Sequence, residues 1–274
     1  MSKVLALVLC APLMACVSGE SGTIPPPMGG GDDQPPPDDG ISGEIAANTT
    51  WSGQVRITGG VTIDTGVTVT IAPGATISTS GTAAYITVNG ILDASGGTKA
   101  APISIGGGGG VNINAGGSAT YSYVDHEGGG VHLQGTAMFT ATDSKLANAN
   151  GGDFLTMGGG TINVTYSTLG ETTGATSTHC NLHFNSGTGN NIVIQYSNIA
   201  GAPFGVMFYG GDLADMTFNN WMGNSVDVDS NGYTVSGDFS NSYFALGAPV
   251  QGTGNTFTLN NISTTTMVAP AGPR

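Results

Sequence analysis

From about residue 49 the chain alternates apolar and polar residues in short runs. Val55-Arg56-Ile57, Val61-Thr62-Ile63 and Val67-Thr68-Val69-Thr70-Ile71 put every second side chain on one side, the period of a strand. Gly59-Gly60 and Gly66 separate these runs, and Pro73-Gly74 marks a turn. Further strand-like segments fall around Ile77, at 85–88, at Ile91-Leu92 and at 103–105. The six-residue spacing of the first three runs suits a left-handed hexapeptide helix, but it lasts under three repeats, too few to define a solenoid.

A longer period runs through the rest of the chain. Tyr, Asp or Asn, then Ser or Asn, then any residue and an apolar one recur as Tyr121-Ser122-Tyr123-Val124, Asp143-Ser144-Lys145-Leu146 and Tyr166-Ser167-Thr168-Leu169. The series continues with Tyr196-Ser197-Asn198-Ile199, Asn219-Asn220-Trp221-Met222 and Asn241-Ser242-Tyr243-Phe244, and a degenerate copy at Leu259-Asn260-Asn261-Ile262. Successive copies start 22, 23, 30, 23, 22 and 18 residues apart. A period near 22 is one coil of a right-handed parallel β-helix, which predicts an all-β solenoid of about ten coils. Residues two apart on a strand face the same way, so stacking would align Val124, Leu146, Leu169, Ile199, Met222 and Phe244 as an inner apolar column. Beside it would run a ladder of Ser122, Ser144, Ser167, Ser197, Asn220 and Ser242. Two residues before each motif lie Ala119, Ala141, Val164, Ile194, Thr217 and Phe239, and the odd offset to the ladder implies a bend, a place for glycine.

Composition narrows the class further. Of 274 residues 47 are Gly, 8% are charged and 39% are apolar, with 18 acidic and 5 basic residues and a formal net charge of −13. So few Leu, Glu and Lys exclude a helical bundle, and the alternating apolar runs exclude full disorder. The negative charge argues against nucleic acid or anionic lipid as a partner, since little here could neutralise a row of phosphates.

The amino terminus carries an address. Met1-Ser2-Lys3 is a short basic region, and the apolar stretch from Val4 to Leu13 is too short to span a bilayer. It ends in Leu13-Met14-Ala15-Cys16, which resembles the lipobox of bacterial lipoprotein signal peptides. The resemblance implies cleavage after Ala15, lipidation of Cys16 and, with Val17 rather than Asp next, sorting to the outer membrane. Residues 1–15 are then signal peptide, and 16–42 are the lipidated Cys followed by a disordered stalk of Pro25-Pro26-Pro27, Gly29-Gly30-Gly31, Asp32-Asp33 and Pro35-Pro36-Pro37. The β-helix domain is expected at 43–268, with a C-terminal tail at 269–274. Cys10 leaves with the signal and Cys16 carries lipid, so Cys180 stands alone and no internal disulfide is available.

Over roughly 49–265 the coils resemble right-handed parallel β-helix proteins of the pectate-lyase-like superfamily. The carriers are the opening segment from Thr50 to Ser78, continued at Ile86–Ile105, and the later Asn-Ser-x-Ile-like copies. The resemblance implies the fold and says little of function, because lyases, adhesins and inert surface proteins share it.

Candidate chemistry is sparse. Lyases on this fold need a base and usually acidic Ca²⁺ ligands, yet the predicted domain holds only Arg56, Lys99 and Lys145, with Lys145 outward on its strand. In His179-Cys180-Asn181-Leu182-His183, strand parity puts the histidines on one face and Cys180 on the other, which predicts a half-buried strand with an inert interior Cys. Asp125-His126-Glu127, near His132, follows a motif and reads as an exposed coil corner or as an acid–base or metal pair. Asp227-Val228-Asp229-Ser230-Asn231-Gly232 with Asp238 fits a Ca²⁺ loop, with oxygen donors from Asp227, Asp229, Asn231 and Asp238. The other reading of that run is a strand with Val226 and Val228 inward, ending in an Asn231-Gly232 turn. Trp221, Tyr209, Tyr233 and Tyr243 are either sugar-stacking platforms or coil packing.

The expectation is a non-enzymatic, lipid-anchored envelope protein whose solenoid is displayed for structural or adhesive contact. Its partners would be the membrane, through the anchor, and a glycan or surface protein. The alternative is a carbohydrate-binding or lyase-like carbohydrate-processing protein. No cofactor is required on either reading, with Ca²⁺ the one candidate.

Overall fold

Three alternating stretches per repeat become three short strands per coil, each hydrogen-bonded to its counterparts in the coils before and after. The computed structural model describes residues 40–185, 191–210 and 213–274; the lipobox, Cys10, Cys16 and the stalk to residue 39 lie outside the described residues. The chain is all-β and winds as a right-handed parallel β-helix of about nine turns with a repeat of about 23 residues, one turn fewer than the motif spacing suggests.

The strands form three faces. Face 1 is a ladder of ten strands from Thr49–Trp51 to Thr256–Thr258. Face 2 passes through Thr76–Thr79, Ile103–Gly107, Val124–Glu127, Lys145–Ala147 and Thr168–Gly170 and ends at Tyr243–Phe244. Face 3 starts at Ile41–Ile45 and includes Val131–Gln134, Asp153–Gly158, Cys180–Asn185, Phe204–Tyr209 and Val226–Asp229. The long strand Gln54–Ile63 turns from face 2 into face 3, which joins the two into one 17-stranded sheet. Its first half stacks on Thr76–Thr79 and its second on Ile86–Val88, and the third run, Thr68–Ile71, lies on face 1, so the six-residue spacing of the opening runs reflects three successive faces and no separate hexapeptide helix.

Stacking in register turns alternation into columns. On face 1 Val69, Leu92, Ala119, Phe139, Ile162 and Ile192 lie one above another, all buried. On face 2 the inner column reads His126, Leu146, Leu169, Ile199, Trp221 and Phe244. Leu146, Leu169, Ile199 and Phe244 are where the motif places them, whereas Val124 and Met222 are not.

The reason is the corner between faces 1 and 2. It is made by one residue per coil in the left-handed region: Tyr123, Asp143, Tyr166, Tyr196, Phe218 and Asn241, with φ of 49°, 49°, 48°, 51°, 59° and 57°. Corners 123 and 218 are displaced from the first letters of their motif copies, so those copies are read in a shifted frame. Phe218 makes the corner, Asn219 enters the ladder and Trp221 the core; likewise Tyr121, not Ala119, aligns with Ala141 and Val164. The glycine expected at this bend is found only in the first coils, where Gly53 and Gly74 have φ of 64° and 73°.

Each non-Gly left-handed corner costs about 1–2 kcal/mol. Two compensations follow directly. The ring stack Tyr166–Tyr196–Phe218 has centroid separations of 5.0 and 4.9 Å and near-parallel planes. The residue after each corner builds an inner polar ladder: Ser144, Ser167, Ser197, Asn219 and Ser242 each accept a hydrogen bond from the backbone N–H of the equivalent residue one coil earlier, at 2.9–3.2 Å. The N–H after each corner from Tyr123 to Phe218 is thereby satisfied by a side chain, while the N–H groups of Tyr123, Asp143, Tyr166, Phe218 and Asn241 themselves donate to backbone carbonyls of the next coil.

The last segment folds back. Ser263 bridges to Tyr243, and the chain then descends the corner: the Val268 N–H donates to Asn220 Oδ1 at 2.7 Å and the Gly272 N–H to the Tyr196 carbonyl at 2.9 Å. Arg274 ends on Asp143, with guanidinium contacts of 3.0 and 2.9 Å, and lies 3.8 Å above the Tyr166 ring. The tail expected at 269–274 is a docked strap.

Candidate functional site

On face 3 the coil register superposes Asp153 and Cys180, the first residues of consecutive strands. His179 sits at the bend just before its strand, and His183 projects from the strand above Thr156. Asp153 joins them. Its Oδ1 lies 3.1 Å from His179 Nδ1 and its Oδ2 2.7 Å from His183 Nδ1, while Cys180 Sγ is 3.2 Å from His179 Nδ1. The next coil supplies walls: Tyr209 stacks on the His183 ring at 4.7 Å and Phe204 packs against His179 at 5.2 Å. His183 Nε2 is 3.2 Å from Asn185 Oδ1.

Charge and burial set the protonation. Burial would raise the Asp153 carboxyl, but hydrogen bonds from His183, Cys180 and His179 outweigh it and bring the pKa down to about 2. The Asp153 carboxylate in turn raises the His183 pKa. Cys180 has no exposed surface, and burial together with the Asp153 charge pushes its thiol well above the ordinary range. This is not a cysteine nucleophile with its relay. A single nitrogen, His179 Nδ1, faces both the thiol and the carboxylate, whereas a relay needs opposite sides of the ring. Chemically the cluster is a donor set. Asp153, Cys180 and His183 place one donor atom each within 4.8 Å of the others, the one such group among the described residues.

Strand parity misses this cluster for two reasons. His179 lies at a bend, where alternation fails, and Asp153 comes from another coil. The separation of Asp153 from Cys180, 27 residues, is one turn, but that signal is legible only once the register is known.

The residues of the Ca²⁺ pattern are distributed differently. Asp227 is buried and its Oδ1 accepts from Asn224 Nδ2 at 2.9 Å; burial raises its pKa. Asp229 accepts from the Asn231 N–H at 2.8 Å, closing a local turn. Asp238 lies on face 1, where it accepts from the Ser240 N–H at 2.9 Å. Val228 is inward, while Val226 is exposed beside the buried Asp227.

Asp125-His126-Glu127 is no corner. It forms the strand Val124–Glu127, with His126 wholly buried in the inner column and Asp125 and Glu127 outside. Burial lowers the His126 pKa to about 4. Outside, Lys145 is held between Glu127 and Glu171 of the flanking coils, at 2.7 Å from the latter. A shallow groove beside it is lined by Lys99, Tyr123, Asp125, Asp143, Lys145 and Arg274. Trp221 is fully buried and stacks on Phe244 at 5.5 Å, so it belongs to the core; Tyr209 covers His183, and Tyr233 is exposed.

Fold and sites together define a parallel β-helix with a polar corner ladder and a Cys/His/Asp cluster on one face. No protein-family model, curated protein or solved structure matches the chain.

Proposed function

We propose that this chain is a non-enzymatic, lipid-anchored protein of the bacterial outer membrane, related to the pectate-lyase-like β-helices, that displays its solenoid for structural or adhesive contact. The anchor rests on Leu13-Met14-Ala15-Cys16. The observation that carries the non-enzymatic reading is the state of two of the three cations that line the groove: Lys145 is held by Glu127 and Glu171, and Arg274 by Asp143. Neither is a free base beside an acid. Cys16→Ala in the full chain is expected to abolish fatty-acid labelling and release the protein from membranes; unchanged labelling and fractionation would reject the anchor.

A second reading, carbohydrate binding, is favoured by the groove itself, where Asp125 and Asp143 meet Lys99, Lys145 and Arg274. A glycan array probed with the Cys16→Ala chain, with and without Ca²⁺, separates the two. Silence supports display alone, and binding that Lys99→Ala or Asp125→Ala abolishes supports the groove.

A further inference from the structure

The polar groups on the outside of face 3 have simple tasks at most places, but the cluster at Asp153 does not. His183 Nε2 lies 3.2 Å from Asn185 Oδ1, which holds the ring in place. Its other nitrogen, Nδ1, is buried 2.7 Å from Asp153 Oδ2, a contact that is a hydrogen bond only when that nitrogen carries a proton. Where Nδ1 carries no proton, its lone pair faces a carboxylate lone pair. The arrangement is relieved by a cation between them, and the nearest further atoms, Cys180 Sγ and His179 Nδ1, are also metal donors.

We propose that Asp153, Cys180 and His183, joined by His179, form a binding site for a borderline divalent transition-metal ion of the Zn²⁺ type. The donor set is one thiolate, two imidazoles and one carboxylate, the kind that Zn²⁺ takes in four-coordinate sites. Donor atoms around a tetrahedral zinc lie about 3–4 Å apart, and here the contacts run from 2.7 to 3.2 Å with all three atoms of the core set within 4.8 Å. Small outward shifts of the half-exposed His179 ring open the space for the ion. On binding, the Cys180 thiol passes its proton to solvent and its sulfur lone pair forms the metal bond. Asn185 orients the His183 ring from behind, while Tyr209 and Phe204 close the sides and leave His179 facing solvent as the entry. The site spans two successive coils, so an ion there would cross-link the Asp153–Gly158 and Cys180–Asn185 strands. Hard-ligand Ca²⁺ is a poor match for this set. The inference is independent of the anchoring and display reading.

The test uses the full chain carrying Cys10→Ser and Cys16→Ser, which leaves Cys180 as its one thiol. Titration with Co²⁺ is expected to saturate at one ion per chain, with a thiolate-to-cobalt charge-transfer band and tetrahedral visible absorption, both removed by Zn²⁺. Cys180→Ser is expected to remove the charge-transfer band, His183→Gln to weaken binding at least tenfold, and Asn185→Ala to weaken it about tenfold through ring orientation alone. Circular dichroism and thermal melting without metal monitor the fold of each variant. His183 is partly exposed, so His183→Gln remains informative where loss of the buried Cys180 thiol impairs folding. No Co²⁺ binding by the folded chain, or binding unaltered by His183→Gln, would overturn the proposal and leave the cluster an imidazolium–carboxylate pair.

Discussion

His126 occupies a place that its neighbours in the column, Leu146, Leu169 and Ile199, fill with aliphatic side chains. It is wholly buried, packs edge-on against Phe154 at 5.1 Å, and has the Tyr121 hydroxyl 3.4 Å from Nδ1 as its polar neighbour; Nε2 has no hydrogen-bond partner. Burial, with a smaller effect of His132, lowers its pKa from 6.5 to about 4. A histidine depressed in the folded state contributes stability that is complete above its unfolded pKa and is lost as pH falls toward the folded one. Between pH 7 and pH 5 the loss amounts to about 2 kcal/mol, approaching about 3 kcal/mol below pH 4. His132, also lowered, adds to this slope, and His183, which is raised, opposes it. The decisive quantity is therefore a difference between wild type and His126→Leu, in which those contributions cancel. Urea denaturation followed by circular dichroism should show the variant gaining about 2 kcal/mol over wild type on going from pH 7 to pH 5, a midpoint shift on the order of 0.5–1 M. A difference between the two proteins that is the same at both pH values would refute the burial argument.

Two further outcomes follow from the corner. Ser167→Ala strips the Ser144 N–H of its acceptor inside a buried ladder, so a loss of about 1–3 kcal/mol is expected by chemical denaturation, against about zero for the exposed Thr172→Ala. The Arg274 guanidinium holds the Asp143 carboxyl below its ordinary pKa, so the strap's contribution is present above the unfolded carboxylate value and is lost as pH falls through the lower folded one. Limited proteolysis should then cut within 264–274 in Asp143→Asn at neutral pH, and in wild type only under acid; equal cutting of both at neutral pH would show that the pair does not hold the strap.

Alternation at 55–71 and the recurring Ser/Asn motif were enough to read an all-β parallel solenoid, the inward ladder at Ser144, Ser167, Ser197 and Ser242, and the outward Lys145. They failed at Tyr121 and Asn219, where adjacent letters of similar type permit two frames and only the left-handed corner selects one. They failed at His126 too, because a polar letter reads as surface although a neutral imidazole fits an apolar column.

The sequence by itself determined the period, the strand class and the inner side of most coils, because alternation and spacing are local and every coil repeats them. Only the tertiary structure decided which residues meet across coils. The Asp153 cluster joins residues one turn apart, and the Arg274–Asp143 pair joins residues 131 apart in the chain. Such contacts depend on the summed length of every loop between them, a quantity that no single motif carries.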